Sequence, residues 1–266
     1  MTLLVLAATA TALVAAAGAS NLRRSSLPTR QPGTLTVAVD IGTIGLAEGE
    51  IVNGKVMRAS GFEVDLARKL AGKLGVELRV VDVPFARVFT PGPKPFDVSI
   101  AHVTITAKRA SSVDFSAPYL VVNKGVLVAP GVAPPTTLEN LRSLRICAQA
   151  ATTSIAYVRT KLRPEVAPRS FPSPIDALRA LSDGFCQAMV ADLEILVAAA
   201  RDEPGVYGSI AGQIVTHERY GAVFEKGSKL SAPVGSALRS LARAGVVKRL
   251  ANRWFGTGWD KAPVLR

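Results

Sequence analysis

At 266 residues the chain is long enough for one large domain or two small ones, each with an ample core. The formal net charge of +12 arises from 32 Lys plus Arg against 20 Asp plus Glu, a balance that favours acidic partners. The basic residues are nevertheless scattered, and no run interleaves them with aromatic residues. Direct nucleic-acid binding is therefore not expected.

The N-terminal segment 1–19 is uncharged and consists of apolar or small residues, ending in Ala17-Gly18-Ala19. An apolar run followed by such a site is typical of a signal peptide and predicts cleavage before Ser20. No Lys or Arg precedes the run, so retention as a membrane anchor is the alternative. Both interpretations predict an exported protein, periplasmic or at the cell surface. The polar, proline-containing stretch 20–33 is predicted to be a tether.

The next part of the chain alternates strands with a helix. β-Branched runs predict strands at 34–39, 76–83 and 97–105. The glycine-rich segment 40–55 is predicted to be a loop, with a tight turn at Asn53-Gly54. Apolar residues at every fourth position predict a helix over 61–75. The proline-rich segment 84–96 is predicted to be a loop with one turn at most.

The rest of the chain continues this alternation. Strands are predicted at 122–130, 145–150, 186–192 and 220–228. Helices are predicted at 138–144, 152–162, 176–184 and 193–203, with closing helices over 230–256. This order predicts an α/β fold with mostly parallel sheets flanked by helices.

The stretch TITAKR at 104–109 places a single arginine after an apolar run. Arginine presents a planar fork of donors that matches a carboxylate at two points. Thr104 supplies a hydroxyl, and Thr106 is placed to cap a helix whose free amides favour an anion. We therefore predict that Arg109 and Thr104 bind an anionic group. The alternative is a solvated first turn of a surface helix.

Further polar residues follow other predicted strands. Thr152 and Thr153 lie between a strand and a helix, where their amides point at whatever lies above; simple capping is compatible with that role. Asp40 and Asp192 end two strands, at the edge where parallel α/β sheets bind ligands. A carboxylate at that edge suits an ammonium group. Capping of the following helix is the alternative for Asp192.

His102, two residues before Thr104, can hydrogen-bond a polar ligand or respond to pH. The chain has only one other histidine, and Cys147 and Cys186 have no His or Asp pairs at ligand spacing, so no metal and no cofactor are expected. The two cysteines form either one disulfide or two separate buried thiols.

Five stretches together resemble the periplasmic or extracellular solute-binding proteins of family 3, the type II binding proteins of polar amino-acid ABC transporters. They are GFEVDLARKLAGKLGVELRVV (61–81), FDVSIAHVTITAKRASSVDFSAPY (96–119), ICAQAATTS (146–154), CQAMVADLEI (186–195) and RLANRWFG (249–256). The resemblance implies two α/β lobes that are joined by two hinge strands and close on a ligand. It places lobe one at 34–120 and 218–266, and lobe two at 121–217.

The resemblance also implies roles for individual residues. Arg109 would hold the α-carboxylate of the ligand with Thr104 beside it, and Asp40 would face the ligand. Relatives usually have glycine where Ala151 stands and often an aromatic residue soon after Asp40. No aromatic follows here, and Phe85 and Phe89 are either its substitutes or core residues.

The expected function is capture of a polar amino acid or a similar small carboxylate and its delivery to the permease of an ABC importer. The net charge and Arg109 favour anionic or zwitterionic ligands over strongly cationic ones. We expect a monomer without catalytic residues. One alternative is an enzyme of the same fold, similar to a cyclohexadienyl or arogenate dehydratase, with His102, Asp40 and Glu63 as its candidate acids and bases. Another is a ligand-sensing receptor domain.

Overall fold

The computed structural model describes residues 27–266, so the predicted signal peptide or anchor and the first part of the tether lie outside the described residues. The strands are β1 (Thr34–Val39), β2 (Glu48–Val52), β3 (Lys55–Ser60), β4 (Glu77–Asp82), β5 (Val98–Ser99), β6 (Asp114–Phe115), β7 (Leu120–Val128), β8 (Ile146–Gln149), β9 (Arg169–Phe171), β10 (Ala188–Asp192), β11 (Ser209–Tyr220) and β12 (Val223–Phe224). The helices are α1 (Phe62–Leu74), α2 (Phe85–Val88), α3 (Ala107–Ala110), α4 (Leu138–Arg142), α5 (Thr153–Tyr157), α6 (Pro174–Ser182), α7 (Leu193–Asp202), α8 (Ser231–Arg243) and α9 (Val246–Phe255).

The first sheet has the strand order β4-β1-β5-β12-β6. β1 runs parallel to β4 and β5, whereas β12 is antiparallel to both of its neighbours. Helices α1, α8 and α9 pack on this sheet through one apolar cluster that includes Phe62, Leu238 and Phe255. Burial of these side chains fixes the helices against the sheet.

The second sheet has the order β11-β7-β10-β8-β9. β10, β8 and β9 run parallel, and β7 pairs antiparallel with both β10 and β11. The predicted α/β fold with helix-flanked sheets is confirmed, but each sheet is mixed, because β7, β11 and β12 return against their neighbours.

The strands β7 and β11 form the connection between the two sheets. Their pairing runs from Val128 with Ser209 in the second sheet to Leu120 with Tyr220, and Tyr220 lies in the core of the first. We propose that the sheets mark two lobes with the boundaries expected above, 34–120 with 218–266 and 121–217, and that β7 and β11 are the hinge.

Two segments differ from their predictions. The glycine-rich segment contains a hairpin, β2–β3, whose turn residues Asn53 and Gly54 both have positive φ, 50° and 72°. The turn was predicted and its strands were not, because they are largely exposed. The predicted strand 97–105 is regular only at Val98–Ser99, since His102 has φ 41° and turns the chain out of the sheet.

The helices begin and end largely as their sequences predict. Gly75 closes α1 in the left-handed conformation, and the hydroxyl of Thr106 accepts the amide of Arg109 at the start of α3. The hydroxyl of Thr152 caps α5 in the same way. In residues 27–266 no helix combines the length and the apolar character needed to cross a membrane.

Candidate functional site

A small cavity lies where the two sheets face each other. Its volume is about 10 Å³, enough for about one water molecule. It is lined by residues of both proposed lobes: Phe85, His102, Thr104, Arg109, Gln149, Thr152, Thr153, Ser154, Pro174, Met189, Val190, Ala191, Asp192 and Ile195. An open groove of about 780 Å³ adjoins it and shares Arg109, Thr152 and Thr153. An amino acid reaches the cavity only if the cleft opens.

Arg109 crosses the cleft with its guanidinium group. Nη1 donates to the carbonyl of Thr104 at 2.8 Å, and Nη2 donates to the carbonyl of Ala151 in the opposite proposed lobe at 3.0 Å. The guanidinium carbon lies 5.2 Å and 4.4 Å from the ring centroids of Phe85 and Phe89. Burial lowers the pKa of Arg109, and the carboxylates of Asp192 and Glu218 oppose that effect. Arg109 is only 7% exposed and is therefore not part of a solvated turn.

Ala151 carries the carbonyl that Arg109 binds across the cleft. Its φ of 62° is in the left-handed region, where the resemblance leads one to expect glycine. The alanine thus keeps the loop conformation at some cost in backbone strain. Phe85 and Phe89 lie beside Arg109 and fix it through cation–π contacts.

A carboxylate, that of Glu218 in β11, lies between Thr104 and Thr153. Its Oε2 accepts hydrogen bonds from Thr104 Oγ1 at 2.7 Å and from Thr153 Oγ1 at 2.6 Å. Lys124 of β7 is 1% exposed, and its Nζ lies 2.7 Å from Glu218 Oε1. Lys124 also donates to Thr153 Oγ1 at 2.9 Å and Ser154 Oγ at 3.1 Å. The buried ammonium group of Lys124 is thereby paired with a carboxylate and hydrogen-bonded inside the protein.

Asp192 lies at the carboxyl end of β10, as predicted. Its Oδ1 is 3.3 Å from Lys124 Nζ, and its Oδ2 accepts from the hydroxyl of Tyr220 at 2.6 Å. Burial raises the pKa of Asp192, but Lys124 and the Tyr220 hydroxyl outweigh it and the pKa is lowered. The side chain makes no capping bond to α7. The alternative of a helix cap is thus not observed, and a charged carboxylate faces the cavity.

Glu194 shares the Tyr220 hydroxyl with Asp192 and is completely buried. Burial, with the neighbouring Asp192 charge, raises the pKa of Glu194 to about 8. At neutral pH Asp192 is therefore ionised, whereas Glu194 is mostly protonated.

His102 is buried in the cavity wall and stacks on Phe85, with 4.9 Å between the ring centroids. Its amide donates to Glu63 Oε1, and its Nδ1 lies 3.4 Å from that oxygen. Burial lowers the pKa of His102, but Glu63, Asp40 and Asp192 outweigh it and the pKa is raised. Within residues 27–266 its Nε2 has no hydrogen-bond partner.

The predicted site residues converge, with one exception. His102, Thr104, Arg109, Thr152, Thr153 and Asp192 all line the cavity. Asp40 does not line the cavity. Its Oδ1 accepts a hydrogen bond from the backbone amide of Phe85 at 3.2 Å, and burial raises the pKa of its carboxyl group. Thr152 contributes mainly as the cap of α5.

Lys124, Glu218 and Tyr220 were not predicted. A signal was present for Lys124, because it interrupts the apolar run of β7. A charged residue inside a buried strand needs a partner. Glu218 was not predicted because the strand that carries it, β11, was not predicted either.

Cys147 and Cys186 are two free, buried thiols in the core of the second sheet. Across the described part of the chain, no group of three or more His, Cys, Asp or Glu side chains is arranged to hold a metal ion.

Comparison with known proteins identifies the family of this chain. The family model of bacterial extracellular solute-binding proteins, family 3, matches residues 47–257. The ABC transporter glutamine-binding protein GlnH of Bacillus subtilis (strain 168) is 29% identical over 204 residues, which cover 73% of this chain and 72% of GlnH.

Solved structures of amino-acid-binding proteins have a similar fold. An ancestral arginine-binding protein bound to glutamine has a TM-score of 0.73 at 30% identity, covering 85% of this chain and 99% of that one. The ancestral amino acid-binding protein AncCDT-1, a precursor of cyclohexadienyl dehydratase, has a TM-score of 0.72 at 27% identity, covering 84% of this chain and 95% of that one. The resemblance inferred from the motifs is confirmed: the chain belongs to the bacterial extracellular solute-binding proteins, family 3.

Proposed function

We propose that the protein binds a polar amino acid, or a similar small carboxylate, between its two lobes and delivers it to the permease of an ABC importer. The observation that carries this proposal is the meeting of complementary groups at one cavity. Arg109, Thr104 and Thr153 offer donors to a carboxylate, and Asp192 offers a charged acceptor to an ammonium group. Glutamine binding by GlnH, as its name states, supports the same class of ligand.

The balance of charge in the cleft indicates which amino acids fit. The cations Arg109 and Lys124 face the carboxylates of Asp192 and Glu218. A cleft that is already balanced favours a zwitterion with an uncharged side chain over one with an additional positive charge. We infer that L-glutamine binds more tightly than L-arginine.

The location and assembly of the protein follow from the same proposal. We infer an extracytoplasmic monomer, either released by cleavage before Ser20 or tethered through the N-terminal segment. Arg109, Thr104, Asp192, Thr152, Thr153 and His102 would contact the ligand, and Asp40 would shape the site from behind.

The direct test is a thermal-shift screen of the purified protein with the twenty amino acids and related small carboxylates, followed by calorimetry. We expect a rise in melting temperature with L-glutamine or another polar, uncharged amino acid, because ligand binding stabilises the folded state. Tight binding of L-arginine or L-lysine without L-glutamine, L-asparagine or L-glutamate would refute the charge argument. No shift with any compound would refute the proposal.

An enzyme of this fold is the second candidate. It is favoured by the buried pair of His102 and Glu63 beside the cavity, since burial raises the pKa of Glu63 and such a group can donate a proton. Incubation of the purified protein with prephenate and arogenate tests it. We expect no turnover. Formation of an aromatic product would show that the protein is an enzyme and would contradict the proposed transport function.

A further inference from the structure

Glu218 occupies a carboxylate-binding arrangement that belongs to both lobes. One oxygen accepts the hydroxyls of Thr104 from one lobe and Thr153 from the other, at 2.7 Å and 2.6 Å. The second oxygen lies 2.7 Å from the ammonium group of Lys124. Hydrogen bonds to an ionised acceptor are stronger than those between neutral groups. The protein's own carboxylate thus joins the lobes through the hydroxyls that we propose for the ligand.

The backbone around Glu218 is built to direct it into the cleft. The pairing of β11 with β7 shifts register between Ile214 and Glu218, and His217 has φ 48°. Asn123 fills the irregularity, because its Oδ1 accepts the amides of Thr216 and His217, each at 3.0 Å. Such bulges commonly redirect a side chain.

We propose that Glu218 is an internal competitor of the ligand. Its carboxylate holds Thr104 and Thr153 together and keeps the cleft closed until the carboxylate of an amino acid takes over these hydroxyls. Lys124 retains the displaced Glu218 through their ion pair. The identity of the displacing ligand rests on the proposed function, whereas the closure by Glu218 does not.

The scattering test compares the ligand-free protein with Glu218→Ala and Glu218→Gln. We expect a larger radius of gyration in small-angle X-ray scattering for Glu218→Ala, because the carboxylate that joins Thr104 to Thr153 is lost and, of the cross-cleft bonds described above, the one from Arg109 to Ala151 remains. Lys124 keeps Asp192 as a partner in this variant, so the fold is retained. Glu218→Gln removes only the charge, and its radius of gyration is used for the comparison if the alanine variant does not fold. Glu139→Gln, an exposed carboxylate on α4, is the control.

The binding test measures the affinity for L-glutamine by calorimetry in the same variants. We expect it to be about tenfold tighter in Glu218→Ala than in the unchanged protein and in Glu139→Gln, because the competitor is gone. An unchanged radius of gyration would overturn the proposal. Weaker binding would also overturn it, since Glu218 would then be a ligand contact. If no variant binds any amino acid, the proposed function fails, and the scattering result alone decides the closure.

Discussion

Arg109 shows how a charged side chain is held ready at a cleft. Two phenyl rings flank the guanidinium group, and two main-chain carbonyls, one from each proposed lobe, accept hydrogen bonds from it. A buried guanidinium needs such partners, because it does not give up its proton. The same donors can turn from the carbonyl of Ala151 to a ligand carboxylate when the cleft opens.

Replacement of Arg109 tests its role in binding. We expect Arg109→Ala to weaken binding of L-glutamine by about 2–5 kcal/mol, as is typical when one partner of a buried charge pair is removed. Lys108→Ala, which removes the exposed neighbouring charge, is the matched control and should bind normally. Calorimetry of both variants measures the difference. Near-native affinity in Arg109→Ala would leave this arginine with a structural role only.

Glu194 predicts a pH dependence of stability. Burial raises its pKa from an ordinary value of 4.5 to about 8, so the folded protein holds a proton there that the unfolded chain releases. Between these pH values the folded state binds more protons, and the free energy of unfolding falls as the pH rises. His102, Glu63 and Asp40 act with the same sign, since their pKa values are also raised.

The test is urea denaturation of Glu194→Gln between pH 5 and 8. We expect its free energy of unfolding to decline less steeply with pH than that of the unchanged protein. The difference in slope is at most about 1.4 kcal/mol for each pH unit, the value for one proton. Glu203→Gln, at the exposed end of α7, should keep the original slope. Equal slopes in all three proteins would show that Glu194 is ionised in the folded state.

At the scale of single elements, α1 illustrates how two glycines differ. Gly61 precedes the helix with φ 117°, and a Cβ atom there would lie 2.2 Å from the carbonyl oxygen of Leu46. Gly72 lies within the helix, and a Cβ atom there would meet no atom within 4 Å. The first position needs glycine, whereas the second does not.

Alanine at each position measures this difference. We expect Gly61→Ala to destabilise the fold by about 2 kcal/mol or more, because both the backbone conformation and the contact become unfavourable. Gly72→Ala should stabilise it by about 0.5–1 kcal/mol through helix propensity. Thermal and chemical denaturation compare the pair. Equal effects of the two substitutions would contradict the contact at Leu46.

At the scale of the whole molecule, access to the site depends on movement of one sheet against the other. The cavity of about 10 Å³ excludes an amino acid, and hydroxyls from both sides of the cleft reach the same oxygen of Glu218. Binding therefore requires opening of the cleft, and we expect the proposed hinge strands β7 and β11 to bend.

A disulfide across the cleft tests this requirement. In the double variant Thr104→Cys with Thr153→Cys, we expect the reduced form to bind L-glutamine more weakly than the unchanged protein, because two proposed ligand hydroxyls are lost. We expect the oxidised form to bind none, because only the reduced cleft opens. The unchanged protein under the same oxidation is the control, as its own cysteines are buried. Calorimetry on both redox forms gives the answer, and equal binding by the two forms would show that ligand enters without opening.

Much of this organisation could be predicted from the sequence. The spacing of Phe62, Leu66 and Leu70 indicates α1, because helix periodicity reports which face is buried. The alternation of strands and helices predicts the fold class, and parallel strands bring polar residues at their carboxyl ends to one edge. Asp192 and Thr153 follow neighbouring strands of the second sheet in this way, whereas the resemblance to family 3 assigned Thr104 and Arg109 to the same site.

The tertiary structure decided what depends on contacts between distant segments. Glu218 meets Thr104 across 114 positions of the chain, and only the pairing of β7 with β11 brings Lys124 beside Glu218. Local periodicity carries no information about such pairs, because it reports burial and not the partner. Lys124 and Glu218 therefore followed only from the fold, whereas Arg109 and Asp192 could be predicted from the sequence.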